Sequence, residues 1–171
     1  MSGDRAGLVI RPYDAADWPA VWRIVEPVLR AGETYPEPAD LDEAAARSWW
    51  IEAHRAVFVA VDRADGTLLG TYCLTDNKPG QGAHVANAGF MVGPGARGRG
   101  VGRAMGAHSL EAARALGYLA MQFNLVAVTN TASLRIWDAL GFTRVGLLPH
   151  AFRHPSQGLV DAWVLYRWLG D

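Results

Sequence analysis

The sequence has little of what marks several classes of protein. Cys73 is the one cysteine in 171 residues, so no disulfide can form within the chain, which suits a reducing compartment. Sixteen Lys and Arg residues against 17 Asp and Glu residues give a net charge of −1, and without a basic excess nucleic acid is not expected as a main partner. No uncharged apolar run approaches the ~20 residues of a membrane span, and residues 1–5 lack the apolar stretch of a signal peptide. We therefore expect a cytoplasmic protein with no membrane partner.

The hydrophobic pattern predicts one domain over residues 1–171. Half of the residues are hydrophobic and 19% are charged, which is an ordinary globular composition. Short apolar runs predict strands, and apolar residues at three- and four-residue steps predict helices. The predicted strands cover residues 8–11, 56–61, 67–74, 83–92, 120–128, 142–148 and 160–168, and the predicted helices cover residues 18–29, 42–54, 101–116 and 130–140. Pro27 is expected to kink the first helix or remove its last turn.

The order of these elements predicts the fold class. A strand, a crossover helix and a second strand between residues 83 and 128 imply one parallel pair. The short connections elsewhere imply antiparallel neighbours. We therefore expect an α/β (α+β) fold with a mixed, mostly antiparallel sheet of seven strands flanked by about four helices.

A turn rich in glycine and arginine separates the fourth strand from the third helix. Residues 97–103 read Arg-Gly-Arg-Gly-Val-Gly-Arg. Glycine allows positive φ and close approach of a ligand, and the first turn of a helix offers free N–H groups and partial positive charge. The turn therefore predicts a phosphate or pyrophosphate site, although a solvated surface loop would have the same composition. Residues 93–98 match G-x-G-x-x-G by letter but lack the context of a dinucleotide fold, and no G-K-[ST] step is present for a Walker loop.

Several further motifs make the sequence resemble the GNAT acetyltransferases. Residues 97–102 fit that family's Q/R-x-x-G-x-G/A signature, and residues 90–92, Phe-Met-Val, fit the strand that precedes it. Residues 130–133, Asn-Thr-Ala-Ser, and residues 141–142, Gly-Phe, fit its downstream pattern. The resemblance implies an acyltransferase fold that uses acetyl-CoA and needs no metal, and the family habit suggests a homodimer.

The resemblance also implies roles for individual residues. The amides of residues 98–103 are expected to hold the pyrophosphate, and the backbone of Met91 and Val92 to pair with the pantetheine arm and to supply an oxyanion donor. Many members have a tyrosine general acid four residues before the Gly-Phe pair, but Trp137 stands there, and an indole does not release its proton at neutral pH. The expected cofactor-binding residues are Met91, Val92, Arg97, Gly98, Arg99, Gly100, Val101, Gly102, Arg103, Asn130, Ser133 and Trp137.

A narrower resemblance indicates the class of acceptor. Asn87, residues 121–126 and Asn130 resemble a fungal N-acetyltransferase that acts on proline analogues such as azetidine-2-carboxylate. Residues 146–154 resemble the phosphinothricin-type acetyltransferases. Both groups acetylate small amino acids or their analogues, and the resemblance places Asn87 and Asn124 in the substrate site.

The catalytic apparatus is left open by the sequence. The candidates for catalysis are Asn87, Met91 and Glu33, and those for substrate binding are Glu33, Tyr35, Asn87, Asn124 and His154. Asn87 cannot accept a proton, so the general base is Glu33, His84, Asp76 or His154, or else ordered water removes the proton. Residues 32–38 and the tail 149–158 are long enough to close the site over a small amine. Acetylation of a protein N-terminus or lysine, and a sensor that binds acyl-CoA without turnover, are the alternatives.

Overall fold

One sheet organises residues 7–170, the part of the chain that the computed structural model describes. It has seven strands in the order β1-β2-β3-β4-β5-β7-β6. The strands are β1 Leu8–Pro12, β2 Ala56–Asp62, β3 Leu68–Asp76, β4 Val85–Val92, β5 Ala120–Ala127, β6 Thr143–His154 and β7 Gly158–Trp168. The α-helices are α1 Trp18–Ala31, α2 Glu43–Arg47, α3 Val101–Ala115 and α4 Thr131–Ala139. The predicted fold class is confirmed.

The central feature of the sheet is its one parallel pair, β4 with β5. These strands are in register only at Val85 with Ala120 and at Ala86 with Met121, whereas β3 and β4 pair over seven positions from Gly70 to Asp76. Beyond Ala86 the two strands separate, so the middle of the sheet opens into a gap.

Each face of the sheet has its own core. Because side chains alternate between faces along a strand, Val59, Cys73 and Met91 pack against α1 and the α2 segment. Their neighbours Ala60 and Tyr72 pack against α3 and α4 on the other face. The sheet is therefore covered by helices on both sides, and its gap lies between the two cores.

Helix α1 differs from the prediction at Pro27. It runs through that residue to Ala31 and ends at Gly32, which has a φ of 62°. Pro27 lies on the exposed face, so the backbone carbonyl that loses its donor can turn to water while Val21, Val25 and Leu29 hold the buried face. The expected loss of the last turn is wrong.

The predicted helix over residues 42–54 is shorter and less regular than expected. Asp42 caps α2 by accepting from the Ala45 N–H, but after Arg47 the chain widens into a π turn, Ser48–Glu52. Trp50 from this turn is fully buried, and the Trp49 ring lies 5.2 Å from it. Such turns often occur at functional sites.

The tail 149–158 is also different, because β6 extends to His154 instead of ending near Leu148. Pro149 lacks an N–H and His150 has a φ of 52°. Both residues fall in the stretch between Leu148 and Phe152 where the register with β7 shifts, so the strand absorbs them as a bulge. The predicted strand over residues 142–148 is therefore too short.

No helix within residues 7–170 is long and apolar enough to cross a membrane. The prediction about a signal peptide concerns residues 1–5, which lie outside the described residues.

Candidate active site

A cavity of about 920 Å³ fills the gap between β4 and β5. Its walls come from these strands, the first turns of α3 and α4, the loop between α1 and α2, and the π turn. It brings together Glu33, Tyr35, Asn87, Met91, Val92, Arg97, Gly98, Gly100, Val101, Gly102, Arg103, Asn124, Asn130, Ser133 and Trp137. We call this cavity the cleft.

The glycine-arginine turn closes one end of the cleft. Gly98 and Gly100 have φ values of 76° and 79°, which favour glycine strongly, and Gly100 is the N-cap of α3 without any side-chain cap. The first N–H groups of this 15-residue helix therefore face the cleft with the positive end of the helix dipole. This end of the cleft is suited to an anion.

Arg99 differs from the other arginines of the turn. Its guanidinium forms an ion pair with Asp62 of β2 at 2.7 Å, and its backbone N–H donates to the Ala96 carbonyl at 3.3 Å. Arg97 and Arg103 line the cleft and Arg99 does not. Arg99 therefore fixes the turn to the sheet, while the other two arginines face the cleft.

The open edge of β4 presents alternate amides. The Gly93 N–H donates to the Leu69 carbonyl of β3, and the Val85 carbonyl accepts from Asn77 on the same side. Because residues two apart along a strand point their backbone groups the same way, the Met91 amide faces β3. The amides that face the gap are those of Phe90 and Val92. Met91 was predicted to pair its backbone with a ligand in the gap. In this register Phe90, and not Met91, presents its amide there.

Tyr35 already contacts this edge. Its hydroxyl accepts the Phe90 N–H at 2.8 Å and donates to the Phe90 carbonyl at 2.9 Å. A Cβ on Gly89 would lie 3.2 Å from that hydroxyl and 3.1 Å from the Trp50 ring. Glycine at position 89 therefore lets Tyr35 reach the strand.

Helix α4 supplies the wall opposite β4. Asn130 is its N-cap, as predicted, and its Oδ1 accepts the Ser133 N–H at 3.3 Å. The Trp137 side chain is buried, with ring centroids 4.8 Å from Phe90 and 4.6 Å from Phe123. Trp137 is thus a fixed apolar wall of the cleft.

The end of the cleft away from the turn carries amide side chains. Asn87 Oδ1 accepts the Ala88 N–H at 2.8 Å. Asn124 Nδ2 donates to Asn77 Oδ1 at 2.7 Å, and Asn124 Oδ1 accepts from Gln122 at 2.9 Å. Asn87 and Asn124 therefore lie on facing strands, β4 and β5, each held by a further hydrogen bond.

Comparison with known proteins decides what this arrangement is. Residues 18–142 match the model of the Acetyltransferase (GNAT) family, which is most of the chain. The chain belongs to the GNAT acetyltransferase family. The resemblance noted in the sequence is confirmed.

Similar proteins agree with this assignment. N-acetyltransferase aca1 of Schizosaccharomyces pombe is 30% identical over 151 residues, which are 80% of this chain and 72% of that protein. A GCN5-related N-acetyltransferase from Kribbella flavida is 44% identical with a TM-score of 0.89, over 95% of this chain and 98% of that one. A phosphinothricin acetyltransferase from Sinorhizobium meliloti, solved in complex with acetyl-CoA, shares the fold at 24% identity and a TM-score of 0.83, over 96% of this chain and 89% of that one.

Among the proposed bases of this GNAT chain, only Glu33 lines the cleft. Asp76 accepts the Tyr118 hydroxyl at 2.6 Å, and His84 is exposed at the start of β4. His154 is buried beside the turn after β6, where its Nδ1 accepts the Ser156 N–H at 3.3 Å. The structure does not bring Asp76, His84 or His154 to the cleft, so the substrate role predicted for His154 has no support from its position.

Two half-buried ionisable residues in the cleft were missed by sequence reasoning. Glu37 Oε2 and His54 Nδ1 are buried and have no hydrogen-bond partner among the described residues, and both line the cleft. Burial raises the pKa of the Glu37 carboxyl and lowers the pKa of the His54 ring. Glu37 stands between two prolines in a polar stretch, and nothing in that stretch predicts burial.

The remaining reactive side chain in the wall is Cys73. It is buried on β3, and burial raises the pKa of its thiol to about 12. A thiol in this state is a poor nucleophile, so Cys73 is a core residue of the wall. Within residues 7–170, no group of three or more His, Cys, Asp or Glu side chains is placed to hold a metal ion.

Proposed function

We propose that this chain transfers an acetyl group from acetyl-CoA directly to the amine of a small molecule, an amino acid or an analogue of one. The observation that carries the proposal is that one cleft joins the helix-terminal anion site to an acceptor end enclosed by aromatic and carboxylate side chains. The family assignment supports the chemistry, and the enclosure supports the size of the acceptor.

The residues at the turn fit the polar part of acetyl-CoA. The backbone N–H groups of residues 98–103 would hold the pyrophosphate, and Arg97 and Arg103 would add full charges. Asn130, Ser133 and the apolar Trp137 would contact the cofactor further along α4, and the Val92 amide would pair with the pantetheine arm.

The Phe90 amide is our candidate for the oxyanion donor. It is fixed by the sheet and points into the gap, and donors of this kind contribute a few kcal/mol to acyl transfer. The Tyr35 hydroxyl accepts a hydrogen bond from this N–H. When the thioester binds, its carbonyl oxygen would therefore replace the Tyr35 hydroxyl as the acceptor of the Phe90 N–H.

The acceptor end supports a small amine. Residues Gly32 to Ala39 and the end of β6, at Ala151 to Arg153, line a second cavity beside the cleft, so loop and strand together cover this end. A volume of about 920 Å³ for the whole cleft is in the range of small-ligand sites. Glu33 and Glu37 favour a cationic amine over an anionic acceptor.

Trp137 has a consequence for the chemistry. It cannot protonate the leaving sulfur, but a thiol with a pKa of about 8.5 is already a fair leaving group. Direct transfer therefore needs a polarised carbonyl, a neutral amine and a path for the amine's proton, and it does not need an acid at position 137.

The test is to mix the protein with acetyl-CoA and a panel of amines and to measure the release of free thiol. The panel includes amino acids and cyclic analogues, peptides with free N-termini, and lysine peptides. We expect release with the first group only. Release with peptides alone would identify a protein acetyltransferase, and acetyl-CoA binding without release in any arm would identify a sensor.

A further inference from the structure

Glu37 has an environment that a general attraction for a cationic amine does not explain. It lies in the loop between α1 and α2, where it lines both the cleft and the second cavity. Its Oε2 is buried and has no hydrogen-bond partner among the described residues. A buried polar atom without a partner is costly, so the position indicates a ligand that completes it.

The loop around Glu37 is anchored on both sides. Before it, Tyr35 is bonded to both backbone groups of Phe90. After it, Arg30 donates to the carbonyls of Ala39 at 2.5 Å and Leu41 at 3.0 Å. The carboxylate is therefore held in place before any ligand binds, which a residue that acts on substrate requires.

Aromatic contacts connect Glu37 to the reacting end of β4. Trp49 lines the cleft together with Glu37, and the Trp49 ring lies 5.6 Å from that of Tyr35. Tyr35 in turn contacts Phe90, whose amide is the proposed oxyanion donor. Trp49 and Tyr35 thus connect the wall at Glu37 to the place where the thioester carbonyl would lie.

The charged and titratable groups around Glu37 leave its carboxylate unneutralised. Those that share a cavity with it are Glu33 and Tyr35 of its own loop, His54 after the π turn, Cys73 of β3, Arg97 and Arg103 of the glycine-arginine turn, and Arg153 of β6. Burial raises the pKa of Tyr35 and of Cys73 and lowers the pKa of His54, so all three are uncharged near neutral pH. Arg97 and Arg103 belong to the turn end of the cleft, and Arg153 is exposed and faces the second cavity, which leaves the acceptor end of the cleft without a cation among the described residues.

We propose that Glu37 is the group that binds the ammonium form of the acceptor and takes the proton that frees its nitrogen for attack. The proposal rests on the proposed function. For a primary amine, the N–C bond forms as the C–S bond breaks. Of the three ammonium protons one stays on the amide, one leaves with the thiol and one passes to Glu37 and then to water. Burial supports this role, because it raises the pKa of Glu37 toward that of a useful base at neutral pH.

The test is Glu37→Gln, which keeps the shape and removes the proton acceptor. With an amine that the wild type acetylates, we expect kcat to fall by about 100-fold or more at pH 7, with acetyl-CoA Kd unchanged within about threefold. The loss should shrink as the pH approaches the pKa of the free amine, and Glu37→Asp should recover part of it. Asp40→Asn, an exposed carboxylate on the same loop, serves as the control and should match the wild type.

Some outcomes would overturn the proposal. Retained kcat/KM with an unchanged pH profile in Glu37→Gln would overturn the role of Glu37 alone, as would a rise in KM with no change in kcat. No thiol release by the wild type with any amine would overturn the proposed function, and this proposal with it.

A second measurement needs no substrate. The folded pKa of Glu37 is raised, so the stability linked to this group is present at low pH and is lost as the pH rises through that pKa. Glu37→Gln should therefore melt above the wild type at pH 7, and the gain should disappear below the ordinary glutamate pKa. Equal melting at every pH would contradict a buried, ionising carboxylate.

Discussion

The two ends of the cleft are built from different kinds of groups. At the turn, one contiguous segment, residues 97–103, presents backbone N–H groups whose direction is set by two left-handed glycines. At the acceptor end, side chains from the α1–α2 loop, the π turn, β4 and β5 converge. A backbone site depends on where glycine is allowed, whereas a side-chain site depends on every residue that supports it. The backbone site at the turn can therefore stay the same while the side-chain site changes with the acceptor amine.

The strongest test of this difference is Gly100→Val. A β-branched residue at a φ of 79° is strained by about 1–3 kcal/mol, and it disturbs the N–H groups at the start of α3. We expect acetyl-CoA affinity to fall at least about 100-fold by calorimetry. Gly95→Ala, in the same connection with open space around it and no positive φ, is the matched control. Equal affinity in Gly100→Val and wild type would refute the turn as the anion site.

A change at the other end should separate the two sites. Asn87→Ala removes an amide from the acceptor end, and we expect kcat/KM for the amine to fall about 10- to 100-fold, as for loss of a hydrogen bond to a charged group. Acetyl-CoA Kd should stay nearly constant. A parallel loss of cofactor affinity would place Asn87 at the wrong end of the cleft.

The arginines of the turn allow a finer distinction. Arg97→Ala should weaken acetyl-CoA binding about tenfold, since a charge-assisted contact to phosphate is lost, and raising the salt concentration should reduce the difference. Arg99→Ala should change the affinity less than about threefold, because its guanidinium pairs with Asp62. Titrations of both variants at two salt concentrations measure this, and equal losses would mean that Arg99 leaves Asp62 to bind the ligand.

The smallest expected effect concerns the boundary between the two ends. Tyr35→Phe removes the hydroxyl that bonds the Phe90 amide and keeps the ring against Trp49 and Trp50. Acetyl-CoA affinity should rise roughly two- to fivefold, because the thioester carbonyl no longer replaces a hydrogen bond worth about 0.5–1.5 kcal/mol. Affinity for CoA without the acetyl group should change less. The measurement is the ratio of the Kd for CoA to the Kd for acetyl-CoA. A fall in this ratio relative to the wild type would show that Tyr35 assists binding of the thioester.

The same division explains what the sequence could predict. The order of the helices and strands along the chain, the parallel pair and the glycine-arginine turn before α3 follow from local patterns, and the structure has them where the sequence places them. The direction of the Met91 amide could be determined only from the register of β4 against β3. The sequence alone does not show to which side of a strand each residue directs its backbone N–H. Gly89 leaves room for the Tyr35 hydroxyl at the strand. Tyr35 is 54 positions earlier in the chain, so a local pattern could not show this contact.

Glu37 and the tail show where local reasoning ends. Loop residues are usually solvated, and Glu37 is half-buried because Tyr35 fixes the loop to β4 at Phe90. The tail contains Pro149, which argues against a strand, yet a bulge accommodates it. In both cases tertiary contacts override the local preference.

The short pairing of β4 with β5 has a further consequence. Strand edges with free amides are templates on which another polypeptide can add, and natural proteins protect them. Here the Asn87 side chain covers the Ala88 amide and the Tyr35 hydroxyl covers Phe90, both from within the chain. These two side chains thereby remove part of the template that the open edge of β4 would offer to another polypeptide.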